Sequence, residues 1–166
     1  MSTLQLLDLR EIPPDMYTFT LYAQGMQVCG IHYEVLFLPL AAGWFSYEGA
    51  FRQEVRDLPE GAYEIKFALK DDVDAGGPNF HTPQELGYPP LTRKEFQVLG
   101  EGLMQSIRVF DKTLQPSAYV AVALDDRPGL SRYYDRLVVT YNEQITSLGL
   151  RFQQTMKGQG YAFLRN

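Results

Sequence analysis

The sequence predicts a mixed α/β fold with an antiparallel amino-terminal part and a helix-containing carboxyl-terminal part. Three patterns predict it: alternating apolar and polar residues before residue 70, two long segments with helical spacing after residue 91, and a short apolar segment between them. The 166 residues, 45% hydrophobic and 21% charged, suit one globular domain. We therefore expect a single domain over 1–166, with a strand-rich part at 1–70, a loop at 71–91 and a helix-containing part at 92–166.

Strands are predicted at 18–22, 30–38 and 62–69, where apolar and polar side chains alternate. In the second of these, His32 and Glu34 share one face while Val35 and Phe37 share the other. Such alternation favours antiparallel strands with one face buried and one exposed. Residues 47–56 are compatible with a short helix or a wide loop, and the glycines and prolines of 71–91 predict a long surface loop.

The first long helix is predicted over 92–112. Thr92 and Glu95 form a capping box, in which each side chain bonds the other residue's backbone amide. Apolar residues then recur at helical spacing, which predicts an inward-facing stripe of Phe96, Leu99, Leu103, Ile107 and Phe110.

A central strand and a closing hairpin complete the prediction. The apolar segment 118–124 predicts a strand covered on both faces. Pro128 suits the first turn of a helix predicted over 127–148, and Gly149 suits its carboxyl-terminal cap. Residues 150–156 and 161–164 predict two strands joined through the turn residues 157–160.

Composition and charge exclude several classes. The chain has one cysteine and two histidines, so neither an internal disulfide nor a four-ligand zinc site is expected, and no metal is assigned. No segment predicts a membrane span or a secretory signal, so we expect a cytoplasmic protein. No dense cluster of Lys and Arg indicates nucleic-acid binding. The net charge of −5 divides into an acidic part before residue 91 and a mildly basic part after it, a pattern compatible with self-association as well as with an ordinary solvated surface.

A family resemblance is carried by segments of the second half: 107–110 in the first helix, 120–124 in the strand, 132–137 in the second helix and 161–165 at the end. With the order helix, strand, helix and two closing strands, these segments resemble the GNAT fold of N-acetyltransferases. They also resemble a group of small bacteriophage-encoded proteins with this GNAT-like core, many of which have no assigned activity. The resemblance covers less than half of the chain, and the extended 71–91 segment departs from the family pattern.

The resemblance gives one motif two readings. Members of the acetyltransferase family bind the pyrophosphate of acetyl-CoA with Arg/Gln-x-x-Gly-x-Gly/Ala at a helix start, and this chain has Gln97, Gly100 and Gly102 in that spacing. A helix that begins at Thr92 would instead place both glycines two turns inside it, where the amides bond helix carbonyls. The two readings exclude each other, and the capping box favours the helix interior.

An acetyltransferase would also need a base and an acid. Glu34 or His32 would be the base, and Tyr133 or Tyr134 would be the acid, since the family commonly has a tyrosine in the second helix. Each of these residues also has a purely structural interpretation. His32 and Glu34 would lie on the solvent-exposed face of a strand, Tyr134 would be a core aromatic, and Tyr133 would be a partly exposed aromatic. Cys29 and His32 do not form a nucleophile and base pair, because three residues apart on a strand they face opposite sides.

Two functions follow as expectations. The first is a phage-type protein that binds a macromolecular partner, either within a virion or against a host system, without a cofactor. The alternative is an acetyl-CoA-dependent N-acetyltransferase. The partner is expected to be a protein, neither nucleic acid nor a membrane.

Overall fold

The computed structural model describes residues 3–12, 19–42, 45, 47–55, 58–75, 84–123 and 128–166. Seven strands form one sheet in the order β1-β2-β3-β4-β5-β7-β6. They are β1 (Leu4–Ile12), β2 (Leu21–Val28), β3 (Ile31–Pro39), β4 (Ala62–Leu69), β5 (Ala118–Val122), β6 (Leu150–Thr155) and β7 (Gly160–Arg165). The α-helices are α1 (Glu48–Glu54), α2 (Lys70–Ala75), α3 (Arg93–Leu114), α4 (Pro128–Thr140) and α5 (Asn142–Ser147). The predicted mixed fold class, with a long helix and a carboxyl-terminal hairpin, is confirmed.

The chain forms two compact units, each built from two segments. The first comprises Met1–Phe37 with Lys66–Lys112, and the second comprises Leu38–Ile65 with Thr113–Asn166. The sequence predicted a single domain over 1–166, and that stays a prediction. Each unit is described by itself below.

In the first unit, β1, β2 and β3 form an antiparallel meander. The predicted strand at 30–38 is confirmed as β3, but β1 was not predicted, and β2 extends to Val28 where the prediction stopped at Tyr22. Thr18 lies outside the described residues. The prediction of one exposed face on β3 is wrong, because Glu34 and Leu36 are buried alongside Val35 and Phe37.

Helix α3 packs on the face of the meander that carries Tyr22 and Phe37. The Phe110 ring stacks on Phe37 with centroids 4.0 Å apart, and it meets Tyr22 edge-on at 5.4 Å. Of the predicted stripe, Leu99, Leu103 and Phe110 are buried, Ile107 is half-buried and Phe96 is exposed. The buried face instead includes the small residues Gly102 and Ser106. Small side chains let the helix approach the sheet closely, which moves the contact face away from Phe96.

The 71–91 segment was predicted as a surface loop. Its acidic start is helical instead, since α2 runs over Lys70–Ala75 with an ion pair of 2.6 Å between Lys70 and Asp74. Residues 84–90 are all exposed, as expected for a surface segment, and begin with a single 3-10 turn at Gln84–Leu86. Residues 76–83 lie outside the described part of the chain.

In the second unit, β5 lies between β4, to which it is parallel, and β7, to which it is antiparallel. The predicted central strand is thereby confirmed for residues 118–122, whereas Leu124 lies outside the described residues. Two apolar clusters cover its two faces. One combines α1 side chains such as Phe51 with Val120 and Leu164, and the other combines Ala121 and Tyr161 with side chains of α4.

The predicted helix over 127–148 is two helices. Tyr141, whose φ of −106° and ψ of 19° lie outside the α-helical region, separates α4 from α5. Backbone hydrogen bonds of 2.9 Å still cross the break, from Tyr141 to Leu137 and from Ile145 to Tyr141. The β-branched residues 138–140 followed by Asn142 have poor helix propensity, which explains why the break falls here. Gly149 then ends the segment at φ 81°, as predicted.

The carboxyl-terminal hairpin is confirmed. Strands β6 and β7 pair antiparallel from Leu150 opposite Arg165 to Thr155 opposite Gly160. The turn contains Met156 and Lys157, both with positive φ, before Gly158 at φ 91°. Arg165 holds the end of β7 against the residues before β5 and β6, because its guanidinium donates to the carbonyls of Pro116 and Leu148.

Candidate functional site

The acetyl-CoA motif lies inside α3. The capping box at the start of this helix has the predicted geometry: Thr92 N–H donates to the Glu95 carboxylate at 3.1 Å, and Glu95 N–H donates to the Thr92 hydroxyl at 3.1 Å. Gln97, Gly100 and Gly102 follow as helical residues, and both glycines are buried. The helix-interior reading of these residues is confirmed, and the reading as a loop at a helix start is wrong.

Gly102 is a packing residue. A Cβ atom at this position would lie 2.7 Å from Met26 Sδ and 3.0 Å from Leu4 Cδ1. The Ser106 hydroxyl donates to the Gly102 carbonyl at 2.7 Å, within the same buried face. The glycine therefore serves the close approach of α3 to the sheet, which is the common reason for a glycine inside a helix.

Glu34 does not lie on a solvent-exposed strand face. Its side chain is almost fully buried, and the Arg10 guanidinium donates to Oε1 at 2.6 Å. The second oxygen, Oε2, is buried and has no hydrogen-bond partner in the described part of the chain. An ion pair between a buried carboxylate and a half-exposed arginine holds β1 against β3 across β2.

His32 is half-buried on the same face of β3 as Glu34, and its Nε2 atom is buried without a partner among the described residues. Cys29 belongs to the turn before β3, with φ 49°, and not to the strand on which the sequence argument placed it. The Cys29 amide donates to the Thr3 carbonyl at 2.7 Å, which fixes this turn against the start of β1.

Tyr133 and Tyr134 are both partly buried on α4, and Tyr134 packs against the apolar cluster of Ala121, Ala123 and Tyr161 in the second unit. The Tyr134 ring packs edge-on against Tyr161, with centroids 5.4 Å apart. Burial raises the pKa of Tyr134, and the charge of Glu64 and the neighbouring Tyr161 raise it further. This hydroxyl therefore stays protonated at neutral pH, where it can donate a hydrogen bond.

Sequence reasoning missed a polar cluster next to Tyr134. The buried Tyr161 hydroxyl donates to Asp135 Oδ1 at 2.6 Å and lies 3.1 Å from the Ser131 carbonyl. Burial, followed by the hydrogen bond to Asp135, raises the pKa of Tyr161 to about 12. Ser131 and Asp135 are four residues apart in α4, so helical spacing could have paired them, but nothing in the sequence connects them to Tyr161.

The candidate catalytic residues fall in different units. Glu34, Gln97, Gly100 and Gly102 belong to the first unit, whereas Tyr133 and Tyr134 belong to the second. Within the second unit, the carboxylate whose charge raises the pKa of Tyr134 is Glu64, which is buried although the alternation of residues 62–69 predicted one exposed face there.

Three exposed large apolar side chains lie close in sequence to the start of α3. Leu86, Tyr88 and Phe96 are 37%, 36% and 42% exposed, although each is a large apolar side chain. The exposed cations Arg93 and Lys94 lie in the first turn between them in sequence. We call these five residues the α3 N-terminal surface.

Tyr33 is a buried tyrosine of β3, in the same unit as α3. Burial raises its pKa to about 12, and the charges of Glu95, Cys29 and Tyr88 contribute.

Among the described residues, no group of three or more His, Cys, Asp or Glu side chains could hold a metal ion. No helix in the described part of the chain is both long and apolar enough to cross a membrane. Comparison with protein-family models, with curated proteins and with solved structures finds no match.

Proposed function

We propose that this protein works by binding a protein partner through the α3 N-terminal surface. The observation that carries the proposal is the exposure of Leu86, Tyr88 and Phe96 beside Arg93 and Lys94. Aromatic and arginine side chains contribute most of the binding energy in protein interfaces, and large apolar groups rarely stay exposed together without such a role.

The setting we propose comes from the resemblance of the second half to small bacteriophage-encoded proteins with a GNAT-like core. The protein would then be a virion component or a host-directed factor, located in the host cytoplasm or in the virion. Neither role needs a cofactor. The cations of the surface favour a partner segment that carries acidic residues beside apolar ones.

Site-specific photo-crosslinking tests the proposal. A photoreactive amino acid replaces Tyr88 or Phe96 in cells that produce the protein naturally, and the matched control replaces Val139, which is 77% exposed on α4 in the other unit. We expect one discrete adduct from positions 88 and 96, and its loss when Arg93 and Lys94 are both changed to Glu. An equal adduct from position 139, or none from 88 and 96, would overturn the proposal.

The alternative remains an acetyl-CoA-dependent N-acetyltransferase, for which the resemblance implies Tyr134 or Tyr133 as acid. The observation in its favour is that the Tyr134 hydroxyl is protonated at neutral pH, as a general acid must be, but burial raises its pKa and so makes it a weaker acid. Against it, the Gln97 to Gly102 motif offers no unpaired amides to a pyrophosphate, since these residues are helical.

A further inference from the structure

Among the described residues, the outer edge of β6 has no partner strand. Strand β6 is the last strand of the sheet and pairs with β7 alone. Successive residues of a strand direct their backbone groups to opposite neighbours. Asn166 N–H donates to the Gly149 carbonyl at 2.9 Å, whereas Arg165 N–H donates to Ser117 beside β5 at 3.1 Å.

This alternation fixes the direction of each β6 residue. Counting back through the register from Asn166, the residues of β6 that bond β7 are Arg151, Gln153 and Thr155. The backbone N–H and C=O groups of Leu150, Phe152 and Gln154 consequently point outward. In the described part of the chain, no backbone hydrogen bond reaches the outer side of these three residues.

Glu54 marks where the open edge ends. The next outward donor after Gln154 is Met156 N–H, and both carboxylate oxygens of Glu54 accept from it at 3.2 Å. The Gln153 side chain also donates to the Glu54 carbonyl at 3.1 Å. The end of α1 thus covers the turn end of the edge, and the described residues leave 150–154 open to a partner strand.

The opposite edge of the sheet is protected and β6 is not. Strand β1 carries a register irregularity between Leu6 and Leu9 and exposed charges at Asp8, Arg10 and Glu11, which discourage strand addition. Strand β6 has regular register, no proline and one charged residue, Arg151.

An aromatic row reaches this edge. By register, Tyr63 on β4 pairs with Tyr119 on β5, Tyr119 with Phe163 on β7, and Phe163 with Phe152 on β6. The Phe152 ring lies 5.4 Å from Phe163 and remains half-buried, so the row ends on a partly exposed ring. A second aromatic directly opposite Phe152 would continue the row and add cross-strand stabilisation.

We propose that the occupant of this edge is the β6 strand of a second copy, paired antiparallel about a two-fold axis at Phe152. In this register Phe152 meets its own counterpart, Leu150 meets Gln154, and Arg151 meets Gln153, so no like charges oppose each other. The outward N–H and C=O groups of all three residues find partners. Two-fold pairing of identical patches is the commonest symmetry of protein oligomers, and a strand this short predicts a weak, concentration-dependent dimer.

The test compares Gln154→Pro with Gln154→Ala. Both variants lose the same side chain, but only proline removes the outward N–H, and it leaves the β7 ladder intact because that amide faces away from β7. Sedimentation over a wide concentration range should show a dimer for the parent and for Gln154→Ala and a monomer for Gln154→Pro. A parent that stays monomeric at every concentration, or equal behaviour of the two variants, would contradict the proposal.

Hydrogen exchange gives a second readout that does not depend on any variant folding. In the parent at dimer-forming concentration, the amides of Phe152 and Gln154 should exchange about tenfold or more slowly than in dilute protein. A dimer in which these amides exchange at the dilute rate uses another surface and overturns the proposal. Phe96→Ser should leave the dimer unchanged, which separates this edge from the α3 N-terminal surface.

Discussion

The hydroxyl of Tyr161 shows how one residue couples the hairpin to α4. Its 2.6 Å hydrogen bond to Asp135 is lost in Tyr161→Phe, and we expect the free energy of unfolding to fall by about 1 kcal/mol at neutral pH. Urea denaturation of parent and variant, with circular dichroism to confirm the fold, measures the difference. An unchanged midpoint at neutral pH would contradict the assigned bond.

The same residue has a pH signature. The pKa of Tyr161 is raised from 10.0 to about 12 in the folded protein, so its contribution is fully present below pH 10 and is lost as pH rises through about 12. In that window the unfolded chain releases the proton first, which favours unfolding. Tyr161→Phe lacks this step, so its stability should fall less steeply than that of the parent between pH 10 and about 12. Parallel decline of the two proteins would contradict the raised pKa.

Residue-scale predictions from sequence failed where tertiary partners decide burial. Alternation assigned Glu34 and Glu64 to exposed strand faces, yet both are buried. The Arg10 partner of Glu34 is 24 residues away in sequence. The local sequence pattern carries no information about a segment, distant in sequence, that buries a side chain or pairs with it.

At the scale of elements, the capping box at the start of α3 predicts how much its two side chains contribute to stability. Thr92→Ala removes the hydroxyl that accepts from Glu95 N–H and should lower the free energy of unfolding by about 1 kcal/mol. Glu95→Gln is the matched control, since an amide oxygen can still accept from Thr92 N–H, and it should change stability much less. Denaturant titration measures both. Equal effects would mean that the capping box does not set the start of the helix.

Elements with their own local signals were predicted well. The capping box located the start of α3, the apolar segment located β5, and Gly149 located the end of α5. The break between α4 and α5 was missed, because an apolar stripe continues through Tyr141 and the pattern does not register a local change in backbone angles. Strand β1 was missed as well, since its edge position leaves exposed and half-buried residues without a clean alternation.

For the whole molecule, the mixed fold class followed from the order of periodic segments, while the function did not. The Gln97 to Gly102 spacing suggested a cofactor loop, and only the helix around it shows that Gly102 is needed for packing against Met26. A short glycine motif of this kind binds a pyrophosphate only when the surrounding backbone leaves its amides unpaired. The exposed residues at the start of α3 had no sequence signal, because Phe96 fitted the predicted inward stripe.

The central claim is that the protein binds a partner and is not an acetyl-CoA enzyme, because α3 contains no acetyl-CoA loop. Calorimetric titration of the parent with acetyl-CoA tests the absence of that loop most directly. We predict no saturable heat. Gly100→Ala serves as the control, because a helix-interior alanine should leave the fold intact and stability unchanged or raised by up to about 1 kcal/mol. A saturable isotherm for the parent that disappears in Gly100→Ala, with unchanged circular dichroism, would contradict the claim and establish the acetyltransferase alternative.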